Sequence, residues 1–129
     1  MLNCYSCPFK VSENSLVEPF NYYKGEVIFH EEERLAGLYC IEKGTCKISK
    51  MSSNGREQII ELLTNKTLLG IRSVLNGKKT NLKATAITPM KVCLVPNHIF
   101  LKTLKTDEDF TIFLFQLLAN YIKSTDDKI

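Results

Sequence analysis

The sequence predicts a mainly β domain, an antiparallel barrel, sandwich or jelly roll, with helices at its C-terminal end. Three observations predict it. Between about Asn21 and Pro96, short apolar stretches are separated by Gly, Pro and Asn turns with no long helical pattern between them. Asn54-Gly55 stands between two such stretches, the strongest short signal for a tight hairpin. From Phe110 onward the apolar spacing becomes that of an amphipathic helix. The 129 residues suit one compact domain. With 44% hydrophobic and 24% charged residues, the chain is neither disordered nor collagen-like.

Taken in order, Met1 to about Phe20 is an N-terminal segment carrying Cys4, Cys7, Pro8 and Pro19. Ser12 is placed to cap a short helix reaching Val17. Strands follow at Glu26–His30, bounded by Gly25 and the charged run Glu31 to Arg34, and at Gly37–Glu42, ending at Gly44. Thr45 to Lys50 alternates, which places Cys46 and Ile48 on one face. Gln58 to Leu63 returns from the hairpin with blurred alternation, and Leu68-Leu69 leads into Gly70. Asn81 to Ile87 alternates again, with Leu82, Ala84 and Ala86 opposite Lys83 and Thr85. Pro89 breaks it, and Lys91 to Val95 resumes. Gly25, Gly44 and Gly55 sit where strands reverse and a positive φ is often required.

Asn97 to Leu104 reads as a short helix after Pro96. Thr106 is the expected cap of a second helix, with acids at 107–109 in its first turn, where the helix dipole favours them. Phe110, Phe113, Leu114, Leu117, Leu118 and Tyr121 form one apolar face. Ile112, Phe115, Ala119 and Ile122 form a second. A helix apolar on two faces is usually buried on both, and a second copy of the same helix is the simplest partner. The expected division is 1–20 as the N-terminal segment, 21–105 as the strand domain and 106–129 as a dimer helix.

The strand region resembles the effector domain of the Crp/Fnr transcription regulators, a cyclic-nucleotide-binding β-roll. The carrying residues are Lys24-Gly-Glu-Val-Ile-Phe29, Gly37-Leu-Tyr-Cys-Ile-Glu-Lys-Gly44, Ile48, Asn54-Gly55, Leu69-Gly70, Ala84-Thr-Ala86 and Val92 to Phe100. Their order and intervals match over about Tyr22 to Phe100. The resemblance implies an antiparallel eight-stranded jelly roll, a long dimer helix after it and a ligand-sensing role. It also implies a helix-turn-helix DNA-reading domain, which needs about 60 further residues. The chain stops at Ile129, so DNA contact is expected only through a domain outside this sequence.

In nucleotide-binding members of the family, a Glu just after the glycine matched by Gly70 holds the ribose. An Arg followed by a small polar residue holds the cyclic phosphate. Here the Glu position is Ile71, and counting back from Ala86 puts the Arg position at Thr80 and its neighbour at Asn81. Arg72, Lys78, Lys79 and Lys83 are nearby but out of register. A buried phosphate favours a bidentate, permanently charged partner. Loss of that fork costs on the order of several kcal/mol, so tight cyclic AMP binding is not expected. A different anion held by Lys78 or Lys79 is the counter-reading. The expected effector site is the pocket between Gly70 and Ala86, with Gly70, Ile71, Arg72, Thr80 and Asn81 as ligand-binding residues. Glu32 and Lys66 stand where the family often has Gly, which predicts altered turns there.

Other chemistry is thinly represented. Five cysteines, most of them in apolar runs, argue against a disulfide framework and for a reducing cytoplasm. Cys40, Cys46 and Cys93 are expected as small core residues. Some Crp/Fnr relatives hold an iron–sulfur cluster through an N-terminal cysteine group and one later cysteine. Here only Cys4 and Cys7 are available at the N-terminus, so no metal or other cofactor is expected. A thiol switch or zinc half-site at Cys4 and Cys7 is the alternative reading. His30 and His98 form no His-x-His pair, and no catalytic triad or phosphate loop is present, so the chain is not expected to be an enzyme. No apolar run approaches the ~18 residues of a membrane helix. The net charge of +3 is scattered, which disfavours direct nucleic-acid binding by this chain. The resulting expectation is a cytoplasmic, homodimeric sensor module of a Crp/Fnr-type regulator with an unidentified small-molecule effector; beside the Cys4 and Cys7 redox reading, a stand-alone binding module with a non-nucleotide ligand is the alternative.

Overall fold

The computed structural model describes residues 18–65 and 67–127, with side chains over 19–65 and 67–119. Cys4, Cys7, the expected helix from Ser12 to Val17, and Lys66 lie outside the described residues, as do the side chains of Tyr121 and Ile122. Among the described residues, eight strands and three helices follow one another. They are β1 (Glu18–Tyr22), β2 (Val27–Phe29), β3 (Gly37–Lys43), β4 (Cys46–Met51), β5 (Glu57–Leu63), β6 (Leu68–Leu69), α1 (Ile71–Asn76), β7 (Lys83–Ala86), β8 (Met90–Pro96), α2 (Asn97–Thr106) and α3 (Glu108–Asp127). The strands form two antiparallel four-stranded sheets, ordered β1-β8-β3-β6 and β2-β7-β4-β5. This is the jelly roll that the strand pattern and the resemblance predict.

The alternation of side chains builds the interior. Cys46 and Ile48 share the core face of β4, and Ala84 and Ala86 share that of β7, as their spacing predicts. They pack with Phe29, Tyr39, Ile41, Leu69, Met90 and Val92 from both sheets. Strand β3 is apolar along both faces because both are covered. Tyr39 and Ile41 enter the interior, whereas Leu38 joins Val95, Ile99, Phe100, Phe110 and Leu114 under the helices. Gly44 turns β3 into β4 at φ +106, and a Cβ there would come within 2.5 Å of the Pro89 carbonyl oxygen, so only glycine fits. The Asn54-Gly55 turn closes as expected, with the Gly55 N–H donating to the Ser52 carbonyl at 3.0 Å. Lys47 Nζ reaches Glu57 Oε1 at 2.8 Å across that hairpin. The hydrogen bonds from Lys47 and then Ser49 hold the Glu57 carboxyl below its usual range.

Three expectations need correction. Strand β1 begins at Glu18, ahead of the predicted strand region, and lies antiparallel to β8. Pro19 hid it, yet β1 is an edge strand, where a missing N–H is tolerated. The second C-terminal helix is capped by Asp107, not Thr106: the Phe110 N–H donates to Asp107 Oδ1 at 3.0 Å, while Thr106 is the last residue of α2. The altered turn predicted at Glu32 keeps a glycine-like conformation, because Glu32 itself adopts φ +64. Its N–H donates to the Thr80 carbonyl at 2.7 Å, and the Thr80 N–H returns to the Glu33 carbonyl at 3.0 Å. That ladder holds the strained residue in place.

A left-handed non-glycine residue costs about 1–2 kcal/mol, and glycine returns about half of that as lost chain entropy. Glu32→Gly is therefore expected to stabilise the chain by about 0.5–1 kcal/mol in urea unfolding. A loss of stability would mean that the Glu32 side chain contributes more than its backbone costs.

Candidate functional site

Gly70 ends β6 in the left-handed conformation, at φ +83, and opens α1. A Cβ there would stand 2.6 Å from Leu35 Cδ1, so backbone freedom and close packing both require glycine. Helix α1 closes on Gly77, whose N–H donates to the Ser73 carbonyl. Arg34 Nη1 then donates to the Gly77 carbonyl at 2.9 Å, tying the β2–β3 connection to the end of α1. Ser73 Oγ donates to the Lys78 carbonyl. The C-terminal end of the helix is thus tied to the segments around it.

The five expected ligand residues have different surroundings. Ile71 is half-buried and, with Val74, packs on the cluster of Leu38, Val95, Ile99, Phe100, Phe110 and Leu114. Arg72 and Asn81 are exposed. Thr80 is buried, but its hydroxyl is engaged locally. It accepts from the Leu82 N–H at 3.2 Å and donates to the Leu82 carbonyl at 3.3 Å. Lys78 and Lys79 are exposed.

A cleft of about 350 Å³ lies beside this segment, lined by Arg34, Leu35, Ala36, Ser73, Val74, Gly77, Lys78 and Asn97. None of the five expected residues is among them. Asn97 Nδ2 donates to the Leu35 carbonyl at 3.4 Å, whereas its buried Oδ1 receives no hydrogen bond. Sequence reading missed Arg34, Ser73 and Asn97, because three distant segments meet there.

The interior of the roll is apolar. The Phe29 and Tyr39 rings stand 5.7 Å apart in a tilted arrangement. Burial, with Tyr22 and Glu33 adding to it, pushes the Tyr39 phenol up to about 12. Among the described residues no Lys or Arg is buried, and Lys47 and Lys83 are half-buried. His30 and His98 are exposed. No described group of three or more His, Cys, Asp or Glu residues is placed to hold a metal ion. No helix among the described residues is long and apolar enough to cross a membrane.

Residues 19–107 match the family model described as the cyclic nucleotide-binding domain, and the chain belongs to that family. Its curated relatives include the regulatory protein HlyX of Actinobacillus pleuropneumoniae, 26% identical over 142 residues, which cover 99% of this chain and 59% of HlyX. The global nitrogen regulator of Synechococcus elongatus is 26% identical over 107 residues, 81% of this chain and 48% of that protein. This chain thus spans about half the length of the curated relatives it matches. The fold is similar to that of the Thermus thermophilus catabolite activator protein, with a TM-score of 0.82 at 21% identity, covering 95% of this chain and 58% of that one.

Proposed function

We propose that this chain is the effector-sensing module of a cytoplasmic transcription regulator of the Crp/Fnr type. It acts as a homodimer, reads DNA only through a domain outside this sequence and carries out no catalysis. One observation carries the reading: α1, which follows Gly70, and α3, the candidate dimer helix, share a single apolar cluster. An effector that displaces the segment from Gly70 to Asn81 shifts Ile71 and Val74, and with them the seat of Phe110 and Leu114. Such a ligand acts to the extent that it binds the two poses with different affinity.

The effector is not a tightly held cyclic nucleotide. Ile71 stands where a ribose-binding carboxylate is needed, and it packs among apolar side chains that would bury a carboxylate at a high cost. Thr80 replaces the phosphate-binding Arg, its hydroxyl is already engaged, and the interior holds no buried cation among the described residues. A thermal-shift titration with millimolar cyclic AMP and cyclic GMP is expected to leave Tm unchanged. Occupancy at 100 times Kd stabilises by about 2.7 kcal/mol, so a rise of several degrees would overturn this reading and direct attention to Lys78 and Lys79.

A further inference from the structure

Cys40 and Cys93, far apart in sequence, are directly opposed partners in the β3–β8 ladder. Directly opposed residues of an antiparallel pair project from the same face. The chain neighbours Tyr39, Ile41 and Val92 belong to the interior cluster, so the two cysteines occupy the other face of the sheet, where they cluster with Leu68 beside them. Both are buried.

Their Cα spacing permits a bond. The ladder continues past β8 with the Asn97 N–H donating to the Ala36 carbonyl, and counting back in steps of two makes Cys40 and Cys93 a hydrogen-bonded pair. Such pairs have Cα atoms about 5.5 Å apart, inside the roughly 4.4–6.8 Å range of disulfides. Cys93 Sγ donates to Glu42 Oε2 at 3.6 Å, and Lys91 Nζ lies 3.7 Å from the same oxygen.

We propose that Cys40 and Cys93 are a redox-reactive dithiol, which a hydroperoxide oxidises to a disulfide joining β3 to β8. In the first step the Cys93 sulfur attacks the peroxide. The O–O bond breaks, Cys93 becomes a sulfenic acid, and water (or an alcohol) leaves. In the second step the Cys40 sulfur attacks the sulfenic sulfur. The S–S bond forms, the S–O bond breaks, and the departing oxygen leaves as water with the Cys40 proton. The two thiols lose two electrons, and the peroxide gains them. Burial slows access, and oxidation depends on local openings that admit the peroxide.

Cys46 is the internal comparison. It is buried in β4 opposite Leu63 and Ala86, with no thiol across from it in either ladder. Desolvation, with Glu61 adding to it, pushes its thiol up to about 11.

Trypsin separates the candidates cleanly. Cys40 falls in Leu35–Lys43, Cys46 in Gly44–Lys47, Cys93 in Val92–Lys102, and Cys4 and Cys7 in Met1–Lys10. The reduced chain is treated with a modest excess of hydrogen peroxide, alkylated under denaturing conditions, digested without reductant and mapped by mass spectrometry. The expected product is Leu35–Lys43 linked to Val92–Lys102, lighter by two hydrogens and reversed by dithiothreitol, with Cys46 alkylated. The link is expected to vanish in Cys93→Ser. Persistence of both thiols, a sulfinic acid at Cys93 without a link, or a link from Met1–Lys10 to either peptide would overturn the proposal.

Discussion

Replacing Phe100 with alanine is expected to destabilise the chain by about 3–5 kcal/mol, the cost of removing a large, fully buried aromatic side chain. Phe100 is closed off from solvent, and its ring meets that of Phe110 edge-on, with centroids 6.1 Å apart and planes at 85°. The same cluster takes Leu38 from β3, Val95 from β8, Ile99 from α2 and Leu114 from α3. Removing the ring opens a cavity where sheet, α2 and α3 meet, and three separate elements cannot all close on it. A domain of ordinary stability has only about 5–15 kcal/mol to lose. Tm is therefore expected to fall by on the order of 10 °C or more. Leu101→Ala, at an exposed position on the same helix, is expected to stay within about 0.5 kcal/mol of the wild type. Equal losses at the two positions would show that α2 and α3 do not share this core.

The strands that were legible in the sequence are those whose two faces meet different surroundings, or whose ends carry turn chemistry. Cys46 and Ile48 alternate with polar residues because β4 has one core face. Asn54-Gly55 announces its hairpin through backbone preference alone. Strand β5 reads as blurred for a physical reason: it is the outer strand of its sheet, six of its seven residues are exposed, and its register with β4 shifts between Ile48 and Ser49. Helix α1 has six residues and none fully buried, too short for Ile71 and Val74 to stand out as a helical stripe. Its ends are set by Gly70 and Gly77, and its position by Arg34 and Leu35 from another segment. The expectation that Ile71 and Thr80 stand where the cassette has Glu and Arg comes from the family resemblance, which supplies the positions to count, and not from spacing alone. The link from Arg34 to Gly77 and the facing of Cys40 and Cys93 depend on long-range pairing. No pattern within a single segment encodes either.

The dimer prediction rests on the same distinction between the two faces of α3. Phe110 and Leu114 are buried against the domain, with Phe113, Leu117 and Leu118 half-buried beside them. Ile112 and Phe115 remain 55% and 67% exposed, and Ala119 is exposed on the same stripe. One apolar face is therefore satisfied within the chain, and the other has no cover among the described residues. A second copy of α3 supplies an identical stripe, which suits a self-complementary two-fold contact. Phe115→Asp places a carboxylate in that contact without altering the monomer's core. Leaving a charge buried and unpaired costs about 3–5 kcal/mol, so the dimer is expected to weaken by roughly 10²–10³-fold or more. Light scattering should show the wild type as a dimer and the variant as a monomer at micromolar concentration, with unchanged far-UV circular dichroism. A wild type that stays monomeric at high concentration would remove the homodimer from the proposed function. A variant that stays dimeric would place the interface elsewhere, and the exposed Ile59, Ile60 and Leu62 of β5 are the next apolar surface to test.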